Sequence, residues 1–196
     1  MKTFFKRNKG ILETIISATY PIRMKVSEMT GIGISIHENT GNKKAPVSFY
    51  SLSMISNTGH EISFERYRGK KILIVNVASK CGYTPQYAAL ENLYKSESNL
   101  EVLGFPTNDF GNQEPGENKE ILDFCERNYG VSFPLFQKSI VSGPYKNRVF
   151  DWLTDKNKNG WNDLEPNWNF YKYIIDEHGN LMTIASSSTE PASLEL

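Results

Sequence analysis

From Ser48 onwards the hydrophobic and polar positions alternate in the manner of a small α/β unit. Residues 71–78 (KILIVNVA) are nearly continuous, apolar and β-branched, the pattern of a central strand covered on both faces. Behind them, Thr84 and Pro85 suit the N-cap and first position of a helix, and Tyr87, Leu90, Leu93 and Tyr94 follow at helical spacing. Residues 101–105 read as a second buried strand, 117–128 as a second helix and 147–153 as a third. Residues 48–55 and 61–64 flank Asn57-Thr58-Gly59, a hairpin signal, and 170–176 with 181–186 make a closing hairpin around Glu177-His178-Gly179-Asn180. The alternation predicts one domain over residues 46–196, a central mixed sheet flanked by helices.

Residues 1–45 read differently. The first ten (MKTFFKRNKG) are basic and the next twelve moderately apolar, as in a secretory signal, but Glu13 interrupts the apolar stretch, Arg23 follows it, and no A-x-A-like cleavage site comes next. On a helix, Ile11, Ile15 and Ile16 would share a face behind Lys6, Arg7 and Lys9, which suits weak contact with an anionic membrane surface through residues 1–25. The plainer expectation is a tail whose apolar residues pack on the domain. Residues 35–46 (SIHENTGNKKAP) are polar and turn-rich and read as a linker.

Composition narrows the classes. The chain has 196 residues, enough for one domain that buries roughly 70% of its unfolded surface. Its longest apolar run is far short of the ~20 residues of a membrane span. The 22 basic and 22 acidic side chains cancel, which removes the strong basic field of a nucleic-acid binder. That zero is itself a sum: residues 1–45 hold eight Lys or Arg against three Glu, a net +5, and the remainder holds 14 basic against 19 acidic groups, a net −5. Two cysteines 44 positions apart make neither a disulfide scaffold nor a paired-CxxC zinc site.

Cys81, in SKCGYTPQ, is the informative residue. It falls just beyond the C-terminal end of a central strand and just before a helix, where open α/β sheets place ligands. Helix N–H groups, the positive end of the helix dipole and neighbouring Lys80 would favour the thiolate there. A lone cysteine is more often a buried core residue, but core cysteines belong within elements and not at a Gly-containing turn. Thr84 stands where a thioredoxin-type CxxC would have its second cysteine, so dithiol exchange within this loop is excluded.

Four blocks in order, NVASKCGYTPQYAALENLY, GFPTNDFGNQEPG, NYGVSFPLF and WNF, closely resemble the glutathione peroxidase family of thiol peroxidases over about residues 46–196. The resemblance implies a thioredoxin-like fold and reduction of hydrogen peroxide and organic or lipid hydroperoxides by a peroxidatic cysteine, which corresponds to Cys81. It implies that Gln113, Trp168 and Asn169 complete the site, supplying neutral donors for the charge on the sulfur and on the departing alkoxide. It implies no cofactor beyond a thiol co-substrate, thioredoxin or glutathione. Many members carry a resolving cysteine in the second helix, the place of Cys125, although here it stands one position early, turning it about 100° around the helix. Another departure is Thr107, where many relatives have a cysteine. Only 31 residues separate Phe136 from Trp168, with no long insertion like that of the tetrameric glutathione-using members, so a monomer open to bulky hydroperoxides is expected.

Other chemistry fares worse. Asp155, Asn157, Asn159, Gly160 and Asp163 fit the start of an EF-hand loop, but its twelfth position is Pro166 instead of a bidentate Glu, so Asx-rich turns are expected. His37, His60 and His178 lack ligand spacing. No N-x-[ST] acceptor appears, in keeping with a cytoplasmic, reducing setting. The alternative to an enzyme is a thioredoxin-fold peroxide sensor that passes oxidation to a partner without efficient turnover.

Overall fold

The computed structural model describes residues 35–196. In chain order the strands and helices are β1 (Ile36–Glu38), β2 (Ser53–Ile55), β3 (Glu61–Ser63), β4 (Lys71–Val77), α1 (Gln86–Ser96), β5 (Leu100–Pro106), α2 (Asn118–Tyr129), α3 (Arg148–Leu153), α4 (Lys156–Asn159), β6 (Lys172–Ile175) and β7 (Leu181–Ala185). Five strands form one mixed sheet in the order β1-β7-β6-β4-β5, and β2 and β3 form a separate hairpin. Only β4 and β5 run parallel, as a pair joined by crossover helix α1 must.

The apolar run at 71–78 becomes β4, and its side chains alternate between two cores. Ile72 and Ile74 face one lined by Phe49, Phe64, Phe105, Phe136, Phe150 and Trp152. Leu73, Val75 and Val77 face the other, where α1 contributes Tyr87 and Leu90, and α2 contributes Ile121 and Cys125. All five β4 residues are fully buried. Beside it, Gly104 of β5 is approached so closely by the segment 133–136 that a Cβ would lie 2.5 Å from Leu135 Cδ2. No helix among the described residues is long and apolar enough to cross a membrane.

Two expectations need correction. Residues 35–46 are not simply a linker: β1 adds to the sheet edge, pairing antiparallel with β7 so that Ile36 opposes Ala185. Buried Asn39 then donates to the Leu181 carbonyl. A three-residue strand with every side chain exposed has no period to read, because backbone bonds to an open edge hold it. Thr84 is not a helix N-cap: α1 starts at Gln86 after tight turns, and the Thr84 hydroxyl turns back to the preceding loop. The expected Asx turns are present, with Asp155, Asn159 and Asn162 each accepting from the N–H two residues on, and Asp155 also caps the single turn α4. There buried Asn159 is spent on carbonyls of Trp152, Leu153 and Asn162. The membrane-surface helix proposed within residues 1–25 lies outside the described residues.

Candidate active site

Beyond β4 the chain leaves the sheet at its C-terminal edge and makes the tight turn that carries Cys81. Thr84 fixes that turn, its Oγ1 accepting from the Cys81 N–H at 3.0 Å and donating to the Ala78 carbonyl at 2.8 Å. The Tyr83 N–H in turn donates to Cys81 Sγ at 3.4 Å. Cys81 is 7% exposed, so its sulfur lies just beneath the surface with a backbone donor placed to bear charge.

A second segment, the loop after β5, docks against this turn. The Lys80 N–H donates to the Gln113 carbonyl at 3.0 Å. Glu114, 1% exposed, accepts from both the Ser79 N–H and hydroxyl, while its own N–H donates to Asn108 Oδ1. Burial raises the Glu114 pKa, and the two Ser79 donors pull against that rise. Gly111 and Asn112 both adopt positive φ, which reverses the loop and turns Gln113 inward. A Cβ on Gly111 would lie 3.5 Å from both Gln113 Cγ and Trp168 Cη2, so both side chains border this glycine.

The third segment is the turn before β6. Asn169, fully buried, donates from Nδ2 to Gln113 Oε1 at 3.0 Å, and its Oδ1 has no partner among the described residues. Trp168 packs against Phe110 with ring centroids 6.2 Å apart and against the apolar cluster that contains Cys81. Asn76, buried in the apolar β4, ties this turn to the strand. It donates to the Trp168 carbonyl at 2.9 Å, accepts from the Tyr171 N–H at 2.9 Å, and its own carbonyl accepts from the Phe170 N–H at 2.6 Å.

Gln113 and Asn169 are therefore hydrogen-bonded to each other, Gln113 is joined to the Cys81 turn through Lys80, and Trp168 is joined to it through a shared apolar cluster. Sequence reasoning passed over Asn76, Glu114, Ser79 and the true role of Thr84. The signal for Asn76 was available, since an amide inside a central strand must find buried partners.

Cys125 lies within α2, fully buried in the same cluster as Cys81, and the two are not joined by a disulfide. Burial pushes its thiol up to about 12, against a weaker pull from the hydroxyl of Tyr87. Among the described residues no group of three or more His, Cys, Asp or Glu is placed to hold a metal ion.

A cysteine at the C-terminal end of a central strand, a helix starting behind it and a mixed sheet define a thioredoxin-fold protein with a cysteine in the loop before its first long helix. Structural likeness agrees. A thioredoxin-family thiol:disulfide interchange protein from Chlorobium tepidum, 16% identical, aligns with a TM-score of 0.53 over 77% of this chain and 90% of that one, and so shares the fold. The crystal structure of Trgpx in its apo form aligns with a TM-score of 0.59 at 34% identity, over 76% of this chain and 90% of that one. A model of the glutathione peroxidase family matches residues 49–154. A glutathione peroxidase-like peroxiredoxin of Chlamydomonas reinhardtii is 46% identical over 148 residues, 74% of this chain and 91% of the relative. A glutathione peroxidase of Lactococcus lactis is 41% identical over 151 residues, 76% and 96% of the two. The chain belongs to the glutathione peroxidase family.

Proposed function

We propose that this protein is a thiol peroxidase in which Cys81 is the nucleophile, and Gln113, Trp168 and Asn169 stabilise charge around the reacting oxygens. The observation that carries the reading is the Asn169–Gln113 hydrogen bond, with the Trp168 indole beside the same loop, next to the turn that carries Cys81. The Cys81 thiolate attacks one oxygen of a hydroperoxide and the O–O bond breaks. Sulfur keeps an OH as sulfenic acid, and the departing oxygen takes a proton and leaves as water or an alcohol. Neutral amide and indole N–H donors suit this step, since they bear developing negative charge without neutralising the nucleophile.

Recovery of the thiol needs two electrons from a thiol reductant. In one route Cys125 attacks the sulfenic acid, water leaves, and thioredoxin reduces the resulting disulfide. In the other, glutathione attacks directly and a second glutathione releases it. The name peroxiredoxin carried by the algal relative supports the first route. Cys125 sits inside a hydrogen-bonded helix, so α2 must open locally to bring the two Cα atoms within the ~7 Å that a disulfide allows. A groove lined by Ser79, Lys80, Glu114, Ile121 and Phe124 runs between the Cys81 loop and α2, and either reductant would approach through it. No metal or organic cofactor enters the scheme.

In a coupled peroxidase assay Cys81→Ser should lose essentially all turnover, with the fold intact by circular dichroism. Substantial residual activity would sink the assignment. Rapid formation of the sulfenic acid with negligible turnover on either reductant would favour the sensor instead.

A further inference from the structure

Phe170, immediately after Trp168 and Asn169, has φ +64. A bulky side chain rarely occupies this left-handed region, and such a conformation persists only where the surroundings impose it. Its ring is fully buried, edge-on to Tyr87 at 5.4 Å. On the N–H side it is held by the Asn76 carbonyl. On the carbonyl side it is held by Lys172, whose Nζ donates to the Phe170 oxygen at 2.8 Å.

Lys172 is 0% exposed, in a strand whose other residues are Tyr173, Ile174 and Ile175. An ammonium there costs solvation that an apolar side chain would not, so packing alone does not account for it. Its remaining contacts are with the Ser187 carbonyl at 3.3 Å and the Ser186 carbonyl at 3.5 Å, in the segment after β7. Gln86, the first residue of the helix behind Cys81, donates to the same Ser187 carbonyl at 2.9 Å and reaches Glu190 at 3.5 Å. Glu190 is the charged group whose field acts on Lys172. One nitrogen thus joins the Trp168–Phe170 turn to the C-terminal segment, and through Gln86 that segment joins the start of α1.

We infer that Lys172 is a positioning residue for peroxide cleavage: it fixes the left-handed Phe170 and thereby aims the Trp168 indole and Asn169 amide at the peroxide oxygen that departs as Cys81 attacks. The inference rests on the nucleophile assignment above. It requires Lys172 to matter for attack on O–O, where an alkoxide must be stabilised, and not for attack on carbon, where iodide leaves unaided.

The test compares two second-order rates of Cys81 in the reduced full chain, with hydrogen peroxide and with iodoacetamide at the same pH. In Lys172→Met the peroxide rate should fall at least tenfold while the alkylation rate stays within about twofold. Lys172→Arg, which keeps N–H donors for the same carbonyls, should recover much of the peroxide rate. A general loosening of the fold would move both rates together, and that result overturns the inference, as does a parent-like ratio in Lys172→Met. If Lys172→Met does not fold, the ratio is read in Lys172→Leu, which likewise lacks an N–H donor, with the same expectation. Failure of both to fold would make Lys172 a folding residue and overturn the inference as well. The unsubstituted chain and Cys81→Ser run alongside: loss of peroxide reactivity in the former, or its retention in the latter, strikes the nucleophile assignment and not Lys172 alone.

Discussion

At the scale of single residues, the decisive groups are polar side chains placed where the solvent cannot reach. Asn76, Glu114, Asn169 and Lys172 are all almost fully buried, and each except Asn169 has its hydrogen bonds spent on holding a segment of the site. Two buried groups also set a pH signature. Desolvation lowers the Lys172 pKa from 10.5 to about 7, so between these values the unfolded chain binds a proton that the native chain does not, and stability rises with pH. Cys125 acts oppositely: with its thiol pushed up from 9.0 to about 12, the unfolded chain releases a proton above pH 9 that the native chain keeps, and stability falls. Urea unfolding should therefore show stability climbing between pH 7 and 9, by at most about 1.4 kcal/mol per pH unit, levelling between 9 and 10.5, where the two effects cancel, and declining beyond. In Lys172→Met the climb should vanish. A parent curve flat from pH 7 to 9 would mean that Lys172 keeps its proton in the fold.

Among the elements, α1 and α2 divide the redox work. The turn into α1 keeps Cys81 near the surface with an N–H aimed at its sulfur, whereas α2 keeps Cys125 buried and protonated. A protonated thiol inside a helix is a poor nucleophile, so resolution depends on opening α2 and not on the thiol as it rests. Cys125→Ser should retain the first, stoichiometric reaction with peroxide at near-parental rate. It should lose turnover with thioredoxin and show no internal disulfide by mass spectrometry after one equivalent of oxidant. Full thioredoxin-dependent turnover in this variant would remove Cys125 from the cycle and leave direct reduction. Most elements were legible from the sequence, because β4 and the two long helices carry strong periods. Thr84 misled for a local reason: the features that suit a cap hydroxyl suit equally a hydroxyl that braces the turn before it.

For the molecule as a whole, the site is assembled from chain segments far apart in sequence, at residues 76–84, 108–114 and 168–172, brought together by the parallel β4–β5 pair and the antiparallel β4–β6 pair. The N-terminal boundary matters at this scale. Since Ser35 and β1 bond to the strand at the sheet's edge, extending a deletion of residues 1–34 to residues 1–45 should lower the melting temperature further. Deleting residues 1–45 removes β1 and the buried Asn39, and should cost about 1–3 kcal/mol, a fall of several degrees in melting temperature. Equal melting of the two truncations would show that β1 contributes nothing to the sheet.

The sequence by itself determined the α/β order, the central strand, the family and the identity of Cys81, Gln113, Trp168 and Asn169 as candidates, because periodicity and ordered local blocks are properties of neighbouring residues. Only the tertiary structure decided that 36–38 belongs to the sheet, that Cys125 is sealed in a core, and that Asn76 and Lys172 hold a strained turn. Those are facts of burial and of hydrogen bonds between distant segments, and neither leaves a periodic trace along the chain.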